Sequence, residues 1–367
     1  MSRMSARQAH TDDIARTRCA EAPSRARTGR APRAWAALLL PLALSLTLLA
    51  PLPASAISRN SVLARAQSWV DSPVTYSQKK YHLGYRTDCS GYVSMCWRTG
   101  TSWSTRSFHV VTHKIAKSSL KPGDALLKPD YHIRLFYGWL DDAHTQYVAY
   151  EAGPKVAICR IHSLADDLAF GYVPTRYDHI TDSPASTNLL HNGSFDTWAS
   201  TWSSRGDQPV WWQANGQWGQ ARSQLNQTLV TRRKDTYRST HNSAKLINPS
   251  ADPATFTELS QSTSVTAGAG YRLSAWAKTA FDPSGIQLRL VYLNAAGQPV
   301  AESSGTGDAS SLDNSSFRRM SVASTTPTDA VRALVTVRLA GGSTTDASGT
   351  VVPGTSATLD DISLTRQ

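Results

Sequence analysis

The sequence has few cysteines, four in 367 residues, and only four methionines. That count is too low for a disulfide-built scaffold. It has no run of Lys or Arg of the kind that marks a nucleic-acid-binding surface. It has no HExxH pattern, so the pair His109 and His113 is a poor zinc-site candidate. It also has no uninterrupted apolar stretch long enough to span a membrane comfortably. The longest, Ala34 to Leu49, is broken by Pro41, Ser45 and Thr47.

That stretch instead reads as the core of an export signal. An Arg-rich segment precedes it, and Pro53-Ala54-Ser55-Ala56 supplies small residues for cleavage after Ala56. Residues 1–56 carry eight Arg, no Lys and three acids, so five of the formal +11 charges belong to the leader. The remainder holds 30 basic and 24 acidic residues, a mild positive balance suited to an anionic surface such as a bacterial wall. The expected mature protein is secreted, extracellular or wall-associated, with no membrane or nucleic-acid partner. A monomer is the expectation.

Three cysteines stay in the mature chain, Cys89, Cys96 and Cys159. One reactive thiol plus a Cys96–Cys159 disulfide is the simple reading, and three reduced thiols is the alternative. Cys89 lies in Arg86-Thr87-Asp88-Cys89-Ser90-Gly91-Tyr92-Val93-Ser94, at what reads as the first turn of a helix. Val93, Cys96 and Trp97 follow on one face, and Gly100 is the stop. A thiol there meets unpaired N–H groups and the positive end of the helix dipole, which favour the nucleophilic thiolate.

The chain around it predicts a helix over residues 58–71 with Val62, Ala66, Trp69 and Val70 on its apolar face, and then a polar loop from Gln78 to Arg86. Strands follow: one after the Lys121-Pro122-Gly123-Asp124 turn, one over 130–139, one over 146–153, one over 156–161 and one over 170–176. Period two puts His132, Arg134 and Phe136 on one face.

Asp88-Cys89-Ser90-Gly91-Tyr92-Val93, the Lys-Pro-Gly-Asp turn and His132-Ile133 opening an apolar strand resemble the NlpC-type cell-wall cysteine peptidases, over about residues 59–176. The resemblance implies an α+β papain-like peptidase fold, with Cys89 as nucleophile and His132 as base. The third catalytic position then falls on Glu151, with Tyr150 and Gln146 as rivals; the family usually carries His, Asn or Gln there. Asp88, Ser90 and Tyr76 match substrate-contacting positions. Arg134 stands where the family usually has Gly, and reads either as a contact for a substrate carboxylate or as a surface Arg on an edge strand. No cofactor is implied for catalysis.

After the linker Thr181 to Ser186 the composition turns to Ser, Thr, Gly and alternating apolar residues. Strand signals recur over 189–195, 259–265, 271–277, 286–292, 317–322, 331–339 and 357–364. That pattern is an all-β sandwich. The ends Asn188 to Asp196 and Leu359 to Leu364, with Gly270 to Lys278, resemble jelly-roll carbohydrate-binding modules. The resemblance implies a structural calcium between the module's ends, with Asp196 and Asp360 as its carboxylates. Sugar stacking needs flat aromatic faces, and Trp212, Trp218 and Trp276 are the candidates.

The expected organisation is therefore a signal peptide over 1–56, a peptidase domain over 57–180, a linker over 181–186 and a glycan-binding β-sandwich over 187–367. The expected activity is hydrolysis of amide bonds in the stem peptides of peptidoglycan. N-acetylmuramoyl-L-alanine amidase action and a non-catalytic wall- or glycan-binding role are the alternatives.

Overall fold

Helix α1, Arg59–Asp71, starts where the Ser58 hydroxyl accepts the Ser61 N–H, and ends before Ser72-Pro73. It buries Val62, Ala66 and Trp69 on one face, as the spacing predicts. Helix α2, Cys89–Trp97, is buried along its whole length. Asp88 caps it by accepting the Gly91 N–H at 2.6 Å. It ends one turn earlier than Gly100 suggests, because Arg98 itself adopts the left-handed C-cap, with φ +54°.

The computed structural model describes residues 56–184, 186–200, 207–216, 228–279, 285–305, 312, 314–346 and 348–367. These fall in one unit, Leu52–Gln367. The leader and its cleavage site, apart from Ala56, lie outside the described residues, as does Trp218. Among the described residues no helix is long and apolar enough to cross a membrane.

The first half builds a six-stranded antiparallel sheet in the order 112–114, 173–177, 125–128, 132–139, 146–152 and 157–163. Helices α1 and α2 pack on one face of it, against Ile133, Leu135, Val148, Tyr150 and Cys159. The opposite face carries a smaller cluster around Phe136, Tyr147 and Leu164 of α3, Leu164–Ala169.

The second half is a sandwich of two five-stranded antiparallel sheets. One runs 213–214, 256–264, 332–340, 286–293, 299–305; the other runs 230–233, 243–248, 355–366, 270–279, 318–325. Their inner faces share one core that includes Leu259, Leu273, Leu290, Val337 and Leu359. Trp211, from the second half, packs into the first-half core. Its ring meets Tyr137 edge-on at 4.7 Å, and its Nε1 donates to the Trp139 carbonyl at 2.7 Å.

The expected α+β papain-like fold is overturned. Strand dominates the described chain, at 47% against 13% helix, and the three helices have 13, 9 and 6 residues. The helical periodicity is confined to 59–71 and 89–97. The segment after α2 forms two three-residue helical turns, 108–110 and 117–119, around the short strand 112–114. The 189–195 strand is also absent, because Asn188 spends its side chain on the Leu190 and Leu364 N–H groups and bends the chain there.

Candidate functional site

Gly91 fixes how closely α2 approaches the preceding strand. A Cβ built there would stand 2.0 Å from the Arg86 carbonyl oxygen, so only glycine fits. Arg86 then spans the helix start. Its Nε donates to Asp88 Oδ2 at 2.9 Å, and one terminal nitrogen donates to the Ser90 hydroxyl and the Trp103 carbonyl. Ser90 donates to Asp88 Oδ1 at 3.1 Å. Asp88 and Ser90 therefore hold the helix start in place, and their side chains are spent inside the chain rather than offered to substrate. This corrects the expectation of direct substrate contact.

Cys89 is thereby placed at the first helical position, with 6% of its surface exposed. The N–H groups of Cys89 and Ser90 have no carbonyl one turn earlier to bond. Tyr76 lies half-buried nearby. Burial first, and then the charge of Cys89, push its phenol above the usual range.

His132 opens the strand His132–Trp139. Its Nε2–H donates to Glu151 Oε2 at 2.8 Å, and the Cys89 thiol bears on the same imidazole. Burial opposes the charged imidazolium, but the bonds to Cys89 and Glu151 outweigh it and hold His132 up at about 9. Imidazole and carboxylate are thus joined, with the Cys89 thiol acting on the same imidazole.

Glu151 is 3% exposed, which disfavours its charge. Hydrogen bonds from His132 and His162 and the Arg134 guanidinium reverse this and hold the carboxyl well below its usual range. Arg134 lies 3.5 Å from Glu151, donates to Asp167 at 3.1 Å and to the Tyr172 hydroxyl at 2.7 Å, and is 8% exposed. Its strand is paired on both sides, so it is not on an edge; it is a buried counter-ion for Glu151 and Asp167 and also borders the cavity beside His132. Tyr147 donates its hydroxyl to Asp167. The rivals for the third position are excluded by their placement. Tyr150 faces the helices and donates to Gln67, and Gln146 is exposed at the far end of its strand.

Sequence reasoning missed the residues around Glu151. Arg160 and His162 approach it at 3.5 and 3.4 Å from the neighbouring strand. Period two over 157–163 puts both on the face that also carries Tyr147 and Glu151, and that was the available signal. Together with His132, Tyr172 and Phe170 they border a cavity of about 680 Å³.

Cys96 and Cys159 are both buried thiols, and no disulfide occurs among the described residues. Burial raises the Cys96 thiol far above its usual range. This decides between the two cysteine readings in favour of three thiols.

In the sandwich, Trp212 is wholly buried. Its ring packs on Phe195 at 5.4 Å, and its Nε1 donates to the Asn192 carbonyl. It presents no face to a sugar, which corrects that expectation. Trp276 is half-buried, with the Arg238 guanidinium 3.7 Å over its ring. It borders a second cavity of about 680 Å³, which also takes in Gln67 of α1, Tyr137, Asn188 and Arg319.

The calcium pair does not fit its residues. Asp360 accepts the N–H groups of Arg238, Ser239 and Asp361, and Asp196 accepts the His241 N–H and the Ser194 hydroxyl. Carboxylates turned toward N–H and O–H donors are oriented against a cation. Burial, partly offset by those N–H groups, holds Asp360 up at about 6. No group of three His, Cys, Asp or Glu that could hold a metal occurs among the described residues.

No family model and no curated protein sequence matches the chain. Several of the solved structures similar to it are carbohydrate-binding modules. TmCBM61, solved in complex with beta-1,4-galactotriose, is 19% identical with a TM-score of 0.30, over 50% of this chain and all of its own. The CBM22-1 xylan-binding domain of Paenibacillus barcinonensis Xyn10C is 11% identical with a TM-score of 0.27, over 44% of this chain and 89% of its own. The enzymatically active domain of bacteriophage CBA120 tailspike protein 4 is 16% identical with a TM-score of 0.32. It matches over 52% of this chain, which spans only 23% of the tailspike domain.

Proposed function

We propose that this is a secreted cell-wall protein that binds glycan through its β-sandwich and hydrolyses amide bonds in the stem peptides of peptidoglycan with Cys89. The observation that carries the catalytic part is His132, bonded at 2.8 Å to a buried, charged Glu151 and raised by the Cys89 thiol.

The imidazolium beside the sulfur supports the thiolate, which attacks the amide carbonyl carbon. The Cys89 and Ser90 N–H groups face the developing oxyanion. His132 gives its proton to the leaving amine, leaving a thioester on Cys89. Neutral His132 then takes a proton from water, whose oxygen attacks the thioester and releases the thiol. Glu151 holds the imidazole in one tautomer and stabilises its charged form. The same chemistry serves an N-acetylmuramoyl-L-alanine amidase, and the two differ only in the bond released.

A non-catalytic wall-binding protein is the second reading. It is favoured by the small exposure of Cys89 and by the internal use of Asp88 and Ser90. Mature protein from Ile57 incubated with purified peptidoglycan, beside Cys89→Ala, separates them by mass spectrometry of the released fragments. New peptide termini that require the thiol support the hydrolase and name the bond. Equal fragments from both proteins, with both sedimenting with the wall, leave the binding role alone.

A further inference from the structure

The segment between Tyr76 and Asp88 begins and ends at the nucleophile. Tyr76 feels the charge of Cys89, and Asp88 precedes it. In between, Tyr81–His82 pairs antiparallel with Tyr85–Arg86. The base is closed by Thr87 N–H to the Lys80 carbonyl at 3.0 Å and Ser77 N–H to the Thr87 carbonyl at 3.3 Å. His82 rests edge-on against Trp69 at 5.5 Å, which ties the hairpin to α1.

The two turn residues, Leu83 and Gly84, both have positive φ, +49° and +82°. Such turns favour Asn, Asp or Gly, because a left-handed backbone crowds an ordinary Cβ against the next carbonyl. Gly84 meets that demand and Leu83 does not. Packing within this chain does not compensate, since Leu83 is 74% exposed and Tyr81 is 64% exposed. Lys79 and Lys80 are exposed as well, and neither ammonium meets a carboxylate among the described residues. A well-bonded hairpin whose ends flank Cys89 thus carries a strained apolar tip and two unpaired cations. Strain held at such a place is the mark of a residue kept for contact with something outside the chain.

We infer that this hairpin is a substrate-engaging lip, on which Leu83 and Tyr81 cover the chain of a stem peptide while Lys79 and Lys80 pair with its carboxylates. The identity of the peptide rests on the function proposed above; the charge complementarity and the continuity with Cys89 come from the hairpin itself.

The test is calorimetric titration of a soluble stem tetrapeptide with free carboxylates into the mature Cys89→Ala protein, which binds without turnover. Leu83→Gly and the pair Lys79→Glu with Lys80→Glu are then added on that background. Each is expected to weaken peptide binding about tenfold, and the lysine pair also flattens the salt dependence of binding. Leu83→Gly relieves the turn, so its Tm rises by about 2 °C while affinity falls, a combination that a purely structural role does not produce. Unchanged affinity in Leu83→Gly and in the lysine pair overturns the lip. Hairpin-dependent binding in a protein whose intact thiol releases no fragments overturns the hydrolase instead and leaves the lip standing.

Discussion

Arg134 and Glu151 stand 3.5 Å apart on neighbouring antiparallel strands, and almost none of either reaches water. Asp167 shares the same guanidinium. Removing the cation takes the shared guanidinium from two buried carboxylates, which costs more than the pair itself contributes. Arg134→Leu is therefore expected to lower stability by about 3–5 kcal/mol. Urea denaturation measures it, and a loss below about 1 kcal/mol argues against the buried-counter-ion role.

His132 carries a pH signature of defined sign. Its value is raised from 6.5 to about 9 in the folded chain, so its contribution to stability is full below 6.5 and is lost as pH rises through 9. Glu151 is shifted the other way, and its contribution fails only as pH falls into the acid range. Turnover that needs the imidazolium should fall on an alkaline limb near 9. Glu151→Gln should move that limb toward neutrality, and a limb that stays in place shows that Glu151 does not set it.

Gly91→Ala places a methyl group 2.0 Å from the Arg86 carbonyl. Helix α2 must then shift away from the 85–86 strand, which displaces Cys89. A stability loss of about 1–3 kcal/mol is expected, with loss of turnover. Circular dichroism melts read the first effect and fragment release the second.

Trp212 and Trp276 separate core from surface. Trp212→Ala should destabilise the sandwich by about 3–5 kcal/mol, because it empties a packed site. Trp276→Ala should spare most of that stability and instead weaken wall binding, read by sedimentation with purified glycan. Equal melting losses in both variants contradict this division.

Thiol titration gives a further test. Denatured mature protein should show three reactive thiols without any reductant, since no pair is joined. One thiol before reduction and three after it would restore the disulfide reading.

Some of this was legible in the chain because it depends on neighbours in sequence. The thiol at a helix start and the apolar face of α1 follow from local spacing. Most sandwich strands announce themselves by alternation, from 256–264 to 355–366. The pairing of His132 with Glu151 was implied by the resemblance alone, with Tyr150 and Gln146 left as rivals.

What the sequence could not decide was which side chains neutralise one another across strands. Arg134 looked available to substrate until the register set it against Glu151 and Asp167. Trp212 looked like a sugar platform until Phe195 and the Asn192 carbonyl enclosed it. Asp196 and Asp360 looked like metal ligands until distant backbone N–H groups claimed them. The weight of strand over helix likewise depends on pairings made far along the chain. Local propensity fixes where a helix or strand begins, but burial and charge pairing are set by partners many residues away, and only the tertiary structure brings those together.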